Sequence, residues 1–231
     1  MKCPEVSVVI ATYKRPEMLR RALQSVAAQT FRDFEVIVVD DGSDTAGDVC
    51  AEFVDEFPLL AMNLEKNSGY QSAPRNMGVI YSSGAYIAHL DDDNEWDPEH
   101  LEALVGEIRK ARVDGVYSRW RYDGDGPMSG MEFPYHQMNK ASALGLTQTP
   151  MANFIDTSSM LYSKAAMAVR LGRDAWNTEI RRFGDWDLAA RSVQMGMKWK
   201  GVDRVTYTYY WHGENLQLVR PADERAVAVS K

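Results

Sequence analysis

Short, almost wholly apolar runs alternate with amphipathic stretches over the first 122 residues, the pattern of a mostly parallel sheet covered by helices on both faces. Residues 6–11 are β-branched and bounded by polar positions, which suits a buried strand. Pro16 stands at a first helical position, and Leu19, Leu23, Val26 and Ala27 repeat at helical spacing as far as Gln29. The same reading gives further strands at 34–39, 60–64, 86–90 and 115–122, and helices at 47–57 and 72–81. Another helix is expected to open at Asp97-Pro98, with Asp97 as its cap, and to run through Leu101, Leu104, Val105 and Ile108.

Beyond Tyr122 the alternation breaks. Residues 123–153 are rich in Gly, Pro, Met and Ser without a sustained period, and a loop of that length inside a domain is usually functional. Regular pattern resumes with a strand at 157–162, helices at 164–171 and 186–195, the second closed by Gly196, and a strand at 202–210; the last dozen residues read as a loose tail. The chain shows no internal repeat.

Composition narrows the class. At 231 residues, 45% hydrophobic and 26% charged, the chain is sized for one globular domain and is neither fibrous nor disordered. Its 26 basic and 33 acidic residues leave a net charge of -7, so nucleic acid is not an expected partner and any bound phosphate has to be handled locally. No apolar stretch reaches the roughly 18 to 20 residues of a membrane span, and no signal peptide is read at the start. Cys3 and Cys50 form no CxxC, so no disulfide is expected; the expected location is cytoplasmic, or peripheral at a membrane.

In open α/β sheets ligands gather at the carboxyl ends of strands. Three of these ends carry chemistry: Thr12-Tyr13-Lys14-Arg15 after the first strand, Asp40-Asp41 after the second, and Asp91-Asp92-Asp93 after the fourth. Three ionised carboxylates in a row repel one another, and a bound cation is the simplest relief. In an extended chain Asp91 and Asp93 would share one side, about 7 Å apart, with Asp92 on the other. All-oxygen donors suit Mg²⁺ or Mn²⁺; a solvated acidic turn ahead of the next helix is the plain alternative. The Asp40-Asp41 pair follows the second strand, not the first as in a response-regulator receiver, and lacks the Asp-x-Asp-x-Thr spacing of a haloacid-dehalogenase-type phosphatase; a turn, or an acceptor for a base or ribose, remains. Asp185, in Phe183-Gly184-Asp185-Trp186-Asp187-Leu188, reads either as a helix N-cap or as a general base facing the strand ends.

Taken jointly and in order, these segments resemble the family 2 glycosyltransferases of GT-A fold. The resemblance rests on residues 6–13, Gln29-Thr30-Phe31, residues 34–43, Arg75-Asn76-Met77-Gly78, residues 84–93 and Asp185-Trp186-Asp187-Leu188. It implies an α/β fold with a Rossmann-like, mostly parallel sheet and a smaller acceptor-side portion. The single domain would comprise a nucleotide-binding half at 1–122 and a half at 123–231 that binds the acceptor and carries the base. It also implies an inverting, metal-dependent transferase of polysaccharide biosynthesis, with a nucleotide-diphosphate sugar as donor, UDP-sugar first, and a carbohydrate or other hydroxyl-bearing acceptor. Residue by residue, Ala11, Thr12 and Tyr13 would form the nucleoside pocket, with Tyr13 stacking on the base and Asp41 accepting from it. Arg75 would lie near the nucleotide, Asp91 and Asp92 in the motif of which one carboxylate binds the ribose, Asp93 on Mn²⁺ or Mg²⁺, and Asp185 would be the base. Many members carry Glu directly before the base, where this chain has Gly184 and so lacks a carboxylate that would orient the acceptor. His212, in Tyr210-Trp211-His212-Gly213, is a candidate ligand of the metal or diphosphate, or a structural histidine. Trp176, Trp186, Trp199 and Trp211 are candidates to stack on sugar faces or to fill the core.

Two other functions compete. A nucleotide-sugar-binding module without transfer shares every binding feature. A sugar-phosphate nucleotidyltransferase needs a Gly-rich loop after the first strand, and Thr12-Tyr13-Lys14-Arg15-Pro16 contains no Gly.

Overall fold

The computed structural model describes residues 3–124, 129–132 and 155–211; His212 and most of the 123–153 stretch lie outside them. Strand β1 (Val6–Thr12) is buried along its whole length. It lies between two parallel neighbours, β2 (Phe34–Asp40) and β4 (Tyr86–Asp91), and β2 pairs in turn with β3 (Leu59–Asn63). Alternation along β1 decides the layers. Val6, Val8 and Ile10 enter one core beneath α1 (Pro16–Ala27), α2 (Ala46–Ala51) and α4 (His100–Ala111). Val9 enters a second core with Ile87, on the face covered by α3 (Ser72–Tyr81), α5 (Lys164–Leu171) and α6 (Gly184–Gln194). The apolar run of β1 therefore reads as buried on both faces because helices cover both.

The eight-stranded sheet has the order β3-β2-β1-β4-β7-β6-β8-β5. β7 (Met160–Ser163) is antiparallel to both β4 and β6 (Gly115–Gly124), β8 (Trp199–Trp211) is parallel to β6, and the two-residue β5 (Glu95–Trp96) closes the edge against β8. The α/β expectation holds, with a parallel half and a mixed half. The order 3-2-1-4 reverses direction between β1 and β4, and the crevice beyond those strand ends is the default ligand position.

Local chemistry explains several motif residues. Gln29 and Thr30 tie the end of α1 to the start of α4: Gln29 Oε1 accepts from the Leu101 N–H at 3.0 Å, its Nε2 donates to the Asp97 carbonyl at 2.8 Å, and the Thr30 N–H donates to the Pro98 carbonyl at 2.8 Å. Asp97 is therefore not the cap expected of it. Its carboxylate makes a bidentate pair with Arg121, α4 begins at His100, and Gln29 satisfies one of the orphan N–H groups of that helix's first turn, that of Leu101. Three other boundaries shift. The helix expected over 47–57 is regular only over α2, residues 157–159 form a 3₁₀ turn before β7, and β8 starts at Trp199.

Gly84 and Gly42 are required by close approach to backbone. A Cβ on Gly84 would sit 2.6 Å from the Ser7 backbone N, and one on Gly42, where φ is +80°, would sit 2.5 Å from the Lys66 carbonyl carbon. Gly84→Ala is expected to cost about 1–3 kcal/mol, the scale of overpacking against backbone. The check is the urea midpoint, and an unchanged midpoint would contradict the packing.

Candidate active site

The crevice between the ends of β1 and β4 holds the predicted residues. Thr12 Oγ1 donates to Asp92 Oδ2 at 2.7 Å, joining the two strand ends. The chain turns immediately after Asp91, so the strand alternation expected for the three aspartates does not apply. Asp92 and Asp93 instead share one partner, Arg15 Nη1, at 3.3 and 2.9 Å, and Asp91 pairs with Arg75. Arginine thus relieves much of the repulsion that a metal was expected to relieve. Burial and the charge of Asp93 nonetheless push the Asp92 carboxyl up to about 7, against the pull of Arg15 and Thr12.

The acidic pair on β2 divides its work. Asp40 accepts from Ser43, Thr45 and Ala46 at the entry to α2. Burial acts to raise its carboxyl, but these hydrogen bonds outweigh it and hold the group below the usual carboxylate range. Asp41 accepts from the N–H and hydroxyl of Ser68, both at 2.9 Å, and each oxygen keeps a second lone pair.

A cavity of about 210 Å³ brings together Ala11, Thr12, Tyr13, Asp41 and Asp92, with Tyr70 and Gln71 opposite. An adjoining cavity of about 140 Å³ holds Arg75, Thr157, Arg181, Arg182 and Asp185; the two share Gly69, Tyr70 and Gln71. A larger cavity, about 560 Å³, lies at the start of β4 beneath α5 and carries none of the strand-end carboxylates. Chemistry and sheet topology, not size, mark the site.

Asp185 is 6% exposed and lies in the first turn of α6, at the positive end of the helix dipole. It is not the N-cap: Phe183 holds that position in a left-handed conformation (φ +57°), a strained backbone of the kind that collects at functional sites. The segment is anchored on both sides. Arg191 binds Asp187 one turn back and donates to the Ala175 carbonyl at 2.6 Å, and the Asn76 side chain pairs with both backbone groups of Trp176 at 2.8 and 2.9 Å. Trp176 in turn lies 4.4 Å below the Arg75 guanidinium. The Arg75-Asn76 dipeptide thus fixes Asp91 with its first residue and the approach to α6 with its second. Trp176, Trp186 and Trp199 are 1%, 9% and 6% exposed, so they are core residues and do not offer faces to a sugar.

Sequence reasoning missed Asp156, Thr157, Tyr70, Gln71, Arg181 and Arg182. Asp156 receives the Tyr207 hydroxyl at 2.6 Å and the Ser158 N–H at 2.9 Å, and Ser158 Oγ accepts from the Asp91 N–H and from Asn94. Asp-x-Ser is a local capping pattern, and it was the one available signal. Burial, then the charges of Asp91 and Asp185, push the Asp156 carboxyl up to about 8. Against an unfolded value of about 3.9, the native state binds this proton more tightly. Stability from this group is therefore present at acid pH and is lost as pH rises from about 4 to about 8. Asp156→Asn, which stays neutral, is expected to flatten that fall. Urea midpoints of both proteins at the two ends of the interval check it, and parallel declines would contradict it.

The family model described as glycosyl transferase family 2 matches residues 7–168. The chain belongs to that family. This glycosyltransferase is 30% identical over 190 residues to the uncharacterized glycosyltransferase YwdF of Bacillus subtilis, covering 82% of this chain and 68% of that one. It is 27% identical over 222 residues to the chondroitin synthase of Escherichia coli, covering 94% of this chain but only 30% of the synthase. The fold matches that of Staphylococcus aureus TarS residues 1–349, solved with UDP-GlcNAc, at a TM-score of 0.75 and 20% identity, over 96% of this chain and 63% of that fragment. The architecture is thus the GT-A fold. Among the described residues no helix is long and apolar enough to cross a membrane.

Proposed function

We propose that this glycosyltransferase moves a sugar from a nucleotide-diphosphate donor to an acceptor hydroxyl by a single inverting displacement. The observation that carries the reading is the adjacency of two cavities, one lined by Ala11, Thr12, Tyr13, Asp41 and Asp92 and the other by Asp185, with a shared wall. Nucleoside in the first would place the diphosphate beside the β4 end and the anomeric carbon toward Asp185. UDP-sugar is the first donor to test, because the TarS complexes contain UDP and UDP-GlcNAc.

Asp185 would take the acceptor proton as its oxygen attacks the face opposite the leaving diphosphate. A single displacement requires no protein nucleophile. Arg15, 25% exposed and held by Asp92 and Asp93, would meet the diphosphate as a fixed cation, and Arg75 would keep Asp91 in place for the ribose. The Asp93 carboxylate, 15% exposed, is a hard oxygen donor and fits Mn²⁺ or Mg²⁺, although among the described residues no cluster of three or more potential ligands exists. A Mn²⁺ ion accompanies GDP-Man in a mannosyltransferase of Pyrobaculum calidifontis with this fold. Such an ion would supply Lewis-acid stabilisation of the leaving diphosphate.

The 1–122 half would bind nucleotide, and the remainder would bind the acceptor and supply the base. The test is release of UDP from a panel of UDP-sugars with hydroxyl acceptors, followed by NMR assignment of the product's anomeric configuration. Inversion is expected. Retention would contradict the single displacement, and binding without release under any acceptor would favour the non-catalytic module.

A further inference from the structure

We propose that the Asp185 cavity selects a sugar ring carrying an anionic substituent, a carboxylate or a phosphate ester, and that Arg181 and Arg182 read it. The inference rests on the transfer reading of that site and specifies its substrate class. Its ground is a charge imbalance in a small, half-open cavity. The cavity's ionisable lining is Arg75, Arg181 and Arg182 against Asp185. Arg75 is committed to Asp91. Arg182 is half-buried and has no ion pair or hydrogen bond with the described residues, while Arg181 is exposed and stacks over the Tyr70 ring, 5.1 Å from its centroid. For the half-buried Arg182, a cation without a carboxylate partner, a ligand that supplies the counter-charge offsets the cost of its partial desolvation; the exposed Arg181 adds a second donor at the cavity mouth.

The leaving diphosphate is a poorer candidate for that counter-charge. Arg15 and Asp92 line the nucleoside cavity and not this one, whereas Arg181, Arg182 and Asp185 line this cavity and not the other. The two arginines therefore stand on the side of the base, where the sugars meet. Guanidinium geometry suits a planar carboxylate or a phosphate, which it can grip through two parallel hydrogen bonds.

Gly184 sharpens the point. It has no positive φ, and a Cβ built on it would meet only Trp176 and Ser72 atoms at 3.6 Å or more. Neither backbone conformation nor packing requires glycine there. The effect of Gly184 is to leave this part of the cavity wall without a side chain, and so without a further carboxylate beside Asp185. With Glu at that place the arginines would have an internal partner; with Gly they are left for the substrate.

The anionic group belongs either to the donated sugar or to the accepting one, and the experiment separates the two. In the donor arm, UDP release is compared for UDP-glucuronate and UDP-glucose; in the acceptor arm, for oligosaccharides ending in a uronate, in a sugar phosphate and in the matching neutral sugar. One arm is expected to favour the anionic sugar in kcat/KM by about ten- to a hundredfold, the scale of a charge-assisted hydrogen bond. Arg182→Gln and Gly184→Glu should each collapse that ratio toward one, while affinity for UDP alone moves by less than about twofold. Arg181→Gln should lower the ratio in part. Equal or better use of neutral sugars in both arms overturns the inference and leaves the transfer reading standing. A parallel loss of UDP affinity in Arg182→Gln also overturns it, since the arginines would then serve the diphosphate. Absence of UDP release from every donor overturns both.

Discussion

Asp185→Asn is expected to retain UDP affinity and to lose transfer by about 10²-fold or more, the range that general-base catalysis contributes. The substitution keeps the shape of the side chain and its contact with the Trp186 N–H at 2.7 Å. It removes the carboxylate proposed to accept the acceptor's proton. Because Asp185 and the nucleoside-side residues line separate cavities, the loss should fall on kcat and not on nucleotide binding, the signature of an interaction made in the transition state. Turnover close to wild type would remove Asp185 from the mechanism. A matched loss of UDP affinity would place its role in binding.

The second large effect concerns stability. Arg75→Met is expected to destabilise the protein by about 3–5 kcal/mol, the cost of leaving one partner of a buried ion pair uncompensated. The side chains of Arg75 and Asp91 are 6% and 12% exposed. With Arg75 gone, Asp91 would face Asp92 and Asp156 without its counter-charge, and Trp176 would lose the cation above its ring. Asp91→Asn in the same chain should recover a large part of the loss. Urea unfolding of the two single variants and the double variant gives the coupling, and additive effects would contradict a direct pair. Nucleotide binding by the double variant then separates the structural role of the pair from its proposed role at the ribose.

The central sheet is legible in the sequence because β1, β2 and β4 are apolar on both faces and their periods leave no competing assignment. Boundaries go astray where a long-range side chain takes over a local role. Asp97 carries every local sign of a cap, yet Arg121, on another strand, claims its carboxylate, and Gln29, 72 residues before Leu101, provides the cap. The acidic run at 91–93 announces a site, but the alternation argument assumes extended backbone, and the chain turns one residue too early for it. The two-residue β5 is too short to leave a periodic signal. Asp156 and the Arg181-Arg182 pair escape notice for a different reason. Each is an ordinary polar residue in a loop, and only the packing of β4, α3 and α6 brings them beside Asp91, Tyr70 and Asp185.

The central claim, that the crevice between β1 and β4 holds a nucleoside diphosphate beside an acidic base, is tested most directly by thermal unfolding with UDP and Mn²⁺. A ligand at about 100 times its Kd adds about 2.7 kcal/mol to the native state. The account predicts a rise in Tm with UDP that grows with concentration, weakens on chelation of the metal, and is lost in Asp41→Ala. No rise with UDP or any other nucleoside diphosphate, with or without metal, would contradict it.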